Sequence, residues 1–183
     1  MRSTQIPLAR RICMVMLLVA VPFTLAPTPC NLTVPEYPGG SEKEGREDTS
    51  DIFFVEHKLT TPYDPATGAP SGPRQHSPLV VVKVIDKATP GLHKALTTGE
   101  NLSEVTLDFY RIDPDTRIEA KYYVITLKNV RIVGMETFMP MSFLPENESY
   151  RHMEKVTFVY EEIEWNWLPD SIVEMDRWRN EGP

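Results

Sequence analysis

The stretch VTLDFYR, Val105–Arg111, sets Val105, Leu107 and Phe109 alternately with Thr106, Asp108 and Tyr110. A period of two is what a strand with one buried face requires. Downstream, AKYYVITLKNVRIV (Ala120–Val133) is rich in the β-branched and aromatic residues that fit a pleated surface. KVTFVYEEIEW (Lys155–Trp165) puts Val156, Phe158 and Tyr160 on one side. Upstream, PLVVVKVID (Pro78–Asp86) is apolar at nearly every position and reads as a strand covered on both faces. DIFFVEHKL (Asp51–Leu59) and the short CNLTV (Cys30–Val34) complete the series. One helix interrupts it. Asp86 or Thr89 can cap its start, Pro90 suits its first turn, Leu92, Ala95 and Leu96 fall at helical spacing, and Gly99 ends it. One short helix among roughly seven or eight strands predicts a mainly β fold, an antiparallel barrel or sandwich with the helix packed on its side.

Composition supports one such domain. The 183 residues are 41% hydrophobic and 25% charged, enough to build a core without staples. Two cysteines exclude a disulfide scaffold and an all-cysteine zinc site. Nineteen basic against 26 acidic residues give a net charge of −7, which argues against nucleic-acid binding. The charge is uneven, because residues 1–28 hold Arg2, Arg10 and Arg11 and no acid. Arg10 and Arg11 precede the apolar run Ile12–Ala26, the pattern of a Sec-type secretory signal. That run contains Pro22 and falls short of the roughly 20 residues of a membrane span, so no stable span is expected. Pro27 would directly follow a cut after Ala26 and obstruct the peptidase, and Pro27-Thr28-Pro29 before Cys30 is not a lipoprotein box. The expectation is that residues 1–28 are upstream sequence of an over-long gene start, with Leu25 as the initiating codon, and that 29–183 form the working domain.

The loop Thr60–Ser77 carries four prolines and two glycines. So long a loop without regular structure is uncommon in a compact domain, and proline stiffens it, so it reads as a projecting arm. The histidines, His57, His76, His93 and His152, form no HxxxH or HExxH pair and read as structural or surface residues rather than metal ligands. On a strand, Glu162 and Glu164 share a face and Glu161 points away. Paired carboxylates suit glycosidic acid/base work, but a solvated or interface-facing acidic strand is the preferred reading. Cys30 reads as a small buried hydrophobe. The sequons at Asn31, Asn101 and Asn147 read as chance occurrences. Trp165, Trp167 and Trp178 either close the barrel or line a partner surface. No P-loop, GxGxxG or GxSxG is present; no catalytic residue, metal or cofactor is expected.

Several blocks, taken together and in order, resemble the haemolysin-coregulated protein (Hcp) family of the bacterial type VI secretion system. They are KVIDKATPGLHKAL (Lys83–Leu96), GENLSEVTLDFYR (Gly99–Arg111), KYYVITLKNVRIV (Lys121–Val133) and HMEKVTFVYEEIEWNW (His152–Trp167). EKEGREDTSDIFFVEHKL (Glu42–Leu59), GPRQH (Gly72–His76) and DSIVEMDRW (Asp170–Trp178) fit as well. The resemblance implies a structural protein without catalysis. Its copies would form six-membered rings that stack into a tube, which a contracting sheath expels behind a spike with small effectors in the lumen. The implied partners are further copies of the chain, sheath, baseplate and spike proteins, and effector cargo. It also implies that the arm reaches the adjacent ring, with Tyr63, Asp64, Arg74 and His76 as stacking candidates and Asp64 and Arg74 as opposite charges for head-to-tail docking. Such proteins are made in the cytoplasm and leave through their own machine, starting a few residues before the first strand; the leader departs from that pattern. Two rival readings are a monomeric secreted or envelope β-domain that binds a ligand or partner, and a hydrolase using Glu162 and Glu164.

Overall fold

The computed structural model describes residues 29–139, Met141, 143–147 and 151–178. The leader, and with it the expectation about Leu25 and the boundary at residue 29, lies outside the described residues. The strands are β1 (Cys30–Thr33), β2 (Ser50–Glu56), β3 (Leu59–Thr60), β4 (Gln75–His76), β5 (Leu79–Val84), β6 (Leu102–Ile112), β7 (Glu119–Phe138), β8 (Met153–Val159), β9 (Glu162–Trp167) and β10 (Ile172–Arg177). The helix α1 spans Thr89–Thr98. Among the described residues no helix is long and apolar enough to cross a membrane.

All pairings are antiparallel, and the order β7-β6-β1-β2-β5-β8 closes on itself because β8 pairs back to β7. The result is a six-stranded barrel. Its closure depends on the length of β7, which spans 20 residues. One edge of β7 pairs with β6. The other edge changes partner midway: Tyr123–Lys128 pair with β9, and Arg131–Phe138 pair with β8. Asn129 sits at that change with φ 51°, in the left-handed region that asparagine tolerates better than most residues. Its side chain donates to Glu161 at 2.8 Å, and the Glu161 N–H reaches the Lys128 carbonyl at 3.0 Å. A bulge between Ile132 and Gly134 follows and bends β7 into the barrel. Strands β9 and β10 continue past the barrel as a two-stranded wing.

The alternating residues Val105, Leu107, Ile125, Leu127, Val156 and Phe158 fill the interior, where Leu92 and Ala95 of α1 join them. Burying each large side chain contributes about 1.5–3 kcal/mol. Gly91 lets the helix approach closely, since a Cβ there would fall 2.1 Å from Cδ1 of Tyr37. Gly99 ends the helix at φ 66°. The start differs from expectation. Ala88 stands at the N-cap with no side-chain bond. The Asp86 carboxylate instead accepts from the Ala88 N–H at 2.9 Å, and Thr89 Oγ1 accepts from the Asp86 N–H at 3.1 Å. Both side chains brace the turn leading into α1, because Asp86 is also held by Lys83 Nζ at 2.8 Å.

Two further expectations are revised. Strand β5 is not covered on both faces: Leu79, Val81 and Lys83 point inward, while Val80, Val82 and Val84 are half-buried. The valines on the outer face are tolerated there because β5 pairs along both edges, with β2 and β8. The arm is not free of regular structure, since Leu59 pairs with His76, Thr60 with Gln75, and Tyr63 with Pro70. The pairing is short and interrupted by proline, with Pro70 itself in the bridge to Tyr63, which is why no strand pattern was legible.

Candidate functional site

The arm is a stiffened hairpin ending in a tight turn. Asp64 builds that turn: its carboxylate accepts from the Ala66 N–H and the Thr67 hydroxyl, both at 2.9 Å. The Ala66 N–H, then the Thr67 hydroxyl, hold the Asp64 carboxyl below its ordinary range. Gly68 takes φ 72° and donates to the Asp64 carbonyl at 2.7 Å. Beside it Tyr63 is 66% exposed. The tip therefore presents an ionised carboxylate and an aromatic ring to solvent.

The other two arm residues singled out from sequence face the opposite way. Arg74 donates through two nitrogens to the Asp176 carboxylate on β10. The His76 side chain is fully buried, with Nε2 3.2 Å from Asp176 and Nδ1 2.9 Å from the Tyr160 hydroxyl. The charge of Arg74 is thus committed inside the chain, and Asp64 and Arg74 do not form an equivalent pair of free charges.

These contacts belong to a cluster that no spacing rule reveals. His57 Nε2 lies 2.6 Å from the same Tyr160 hydroxyl, at the corner between β8 and β9. Trp178 stacks on His76 and Tyr160, with ring centroids 5.5 and 5.1 Å away, and Trp165 lies 6.3 Å from His57. Burial first, then the neighbouring His76, lowers the His57 pKa below its ordinary value. Burial, then Asp176, raises that of Tyr160. Burial alone would raise Asp176, but the Arg74 bond, the Arg177 N–H and the charges of Arg74 and His76 outweigh it. His57 follows β2, His76 lies in β4, Tyr160 follows β8 and Asp176 lies in β10, so only the folded chain assembles them. Among the described residues no group of three or more His, Cys, Asp or Glu could hold a metal ion.

The wing carries the acidic strand. Glu162 accepts from Lys128 Nζ at 2.8 Å and from Arg177 Nε at 3.2 Å. Lys128, then Arg177, hold its carboxyl below the ordinary range. Glu164 shares that face 4.0 Å from Lys128, and Glu161 is bound to Asn129 instead. A general acid needs its pKa raised, so the Glu162 environment is tuned in the wrong direction for glycosidic chemistry. Cys30 is buried, and its thiol is pushed up to about 12 by burial and then by Asp108, as suits a packing residue. Trp165 and Trp178 pack against the core, while Trp167 forms an edge contact with Tyr122 under the Arg111 guanidinium. The outer edge of β10 pairs with no strand among the described residues, and Ile172, Val173 and Met175 on it are exposed. The arm tip and this apolar sheet edge are thus among the exposed surfaces, beside Phe53 and Phe54 of β2 and Ile112 and Ile118 at the turn from β6 to β7.

Comparison with known proteins agrees with this architecture. The family model described as "Type VI secretion system effector, Hcp" matches residues 31–167. The "Major exported protein" of Pseudomonas aeruginosa is 35% identical over 142 residues, covering 78% of this chain and 82% of that protein. An Hcp protein from the EAEC 042 pathovar of E. coli superposes with a TM-score of 0.71 at 30% identity, over 84% of this chain and 99% of its own. A secreted Hcp protein of Pseudomonas aeruginosa gives 0.68 at 27% identity, over 84% of this chain and all of its own.

Proposed function

The chain belongs to the Hcp family of type VI secretion proteins, and from that premise we propose that it is the repeating subunit of the secretion tube. Six copies close into a ring, rings stack, and the tube leaves the cytoplasm with the spike when the sheath contracts, carrying small effectors in its lumen. The tube domain in this reading is 29–183. The observation that carries the proposal is that one chain exposes two different attachment surfaces, the arm tip at Tyr63 and Asp64 and the apolar β10 edge at Ile172, Val173 and Met175. A ring requires an unlike pair of patches on each copy, of which the β10 edge supplies one, and an axial stack requires a further contact out of the ring plane, which the arm tip supplies. Tyr63 and Asp64 make the axial contact in this reading, and Arg74 and His76 anchor the arm that carries it. Many weak contacts then sum along the tube. The chain works by shape, without catalysis.

Export tests the proposal. The protein is expected in the medium of cells with a working contractile machine and absent from the medium of cells whose sheath cannot contract. Release that continues without the sheath would overturn the tube reading in favour of an independently secreted β-domain.

A further inference from the structure

The buried chain at the arm base has a proton inventory that limits what it can hold. Asp176 is an ionised acceptor, so His76 Nε2, 3.2 Å away, carries a hydrogen. The Tyr160 hydroxyl has one hydrogen and lies 2.6 Å from His57 Nε2 and 2.9 Å from His76 Nδ1. With both rings neutral, His57 Nε2–H donates to the Tyr160 oxygen and the Tyr160 O–H donates to His76 Nδ1. Each hydrogen at these contacts has an acceptor. One added proton is also accommodated. His76 can then donate from Nε2 to Asp176 and from Nδ1 to the Tyr160 oxygen, while the His57 hydrogen shifts from Nε2 to Nδ1 and the Tyr160 O–H turns to the lone pair left on His57 Nε2. A second proton has no place. Both rings would then donate to the same oxygen, the buried Tyr160 O–H would point at no acceptor, and two positive rings would stand 6.5 Å apart.

The surroundings do not relieve that state. The arm contributes Arg74, a further positive charge, and β10 contributes Asp176, already engaged by Arg74. Strand β9 contributes the uncharged Trp165, and Trp178 closes the far side. Both histidines flank the arm, His57 just before β3 and His76 within β4, while Tyr160 and Asp176 belong to the body and the wing.

We infer that His57, Tyr160, His76 and Asp176 form a one-proton latch that ties the arm to the wing and releases it when the second histidine is protonated. The latch is a property of one chain and goes beyond the tube reading; only its consequence, that stacked rings loosen in acid, rests on that reading. Burial, then the neighbouring His76, opposes protonation of His57.

Hydrogen exchange of the arm amides, 59–77, tests it in the purified protein at concentrations too low for stacking. At mildly acidic pH the protection factors of the arm are expected to fall at least about tenfold relative to neutral pH, with the barrel amides unchanged. His57→Gln keeps a donor at the same reach but cannot take a charge, so its arm should stay protected across the same range. A native arm that keeps its protection in acid, or a His57→Gln arm that opens as the native one does, overturns the latch. Should that variant fail to fold, nitrogen NMR of the imidazoles in the native protein decides. One ring of the pair should stay neutral until the arm opens, and two rings that take up protons independently would overturn it.

Discussion

Lys83 beneath α1 and Tyr160 at the arm base each hold a buried polar network, and the two are built on opposite principles. In the first, Lys83 is fully buried and donates to Asp86 at 2.8 Å and faces Glu154 at 2.9 Å, with Glu154 equally buried. Its charges are fixed, and one oxygen of Glu154 meets no hydrogen-bond donor among the described residues. In the second, Arg74 and Asp176 form an ion pair, but His57, Tyr160 and His76 beside it share hydrogens that can be moved from atom to atom. The first network pins α1 and β8 to the wall of a barrel that must keep its shape. The second joins a projecting arm to the wing. Fixed charge makes a rigid joint, and shared protons make a joint that can let go.

The sharpest way to break this comparison is to remove one charge from the rigid joint. Lys83→Met leaves Glu154 and Asp86 without their cation and should cost about 3–5 kcal/mol, read as a lower urea midpoint. Adding Glu154→Leu should recover much of that loss. A double variant as unstable as the single would mean that the pair is not what the barrel depends on. Tyr160→Phe should cost less, about 1–3 kcal/mol, because it strands two imidazole nitrogens and no full charge. Its arm should also lose protection at neutral pH, where the native arm keeps it.

The pH dependence comes next in size. The His57 pKa is lowered from 6.5, so the folded chain takes up this proton later than the unfolded chain does. Stability from this site is therefore complete above 6.5 and is lost as the pH falls below that value. Urea titrations should show that decline in the native protein and not in His57→Gln, whereas the Lys83→Met deficit should persist on both sides of it. The smallest expected effect on stability belongs to Tyr63→Ala at the arm tip, within about 0.5 kcal/mol. Its effect on stacking should be large, with rings sedimenting singly where the native protein forms tubes.

Much of the barrel was legible from residues alone. The alternation in Val105–Arg111 and the β-branched run from Ala120 mark β6 and β7, and Leu92, Ala95 and Gly99 mark the helix. Closure was not, because it turns on where β7 exchanges one partner for another, a matter of register at Asn129 and Gly134 rather than of pattern. Lys83, in a run read as apolar at nearly every position, is the inward residue that meets Glu154 on β8. The helix cap went astray for a related reason, since Asp86 was already engaged by Lys83. At the arm, Tyr63, Asp64, Arg74 and His76 were singled out together, but the hairpin turns the first two outward and the last two inward. The histidine cluster left no signal along the chain, because its members are far apart in sequence and meet only where the arm folds back against the β8–β9 corner and β10.

The central claim is that copies of this chain wall a hollow, and electron microscopy of the purified protein tests it most directly. The account predicts rings with a central opening, six subunits around, that lengthen into stacks as concentration rises. Particles that stay single at every concentration would contradict it.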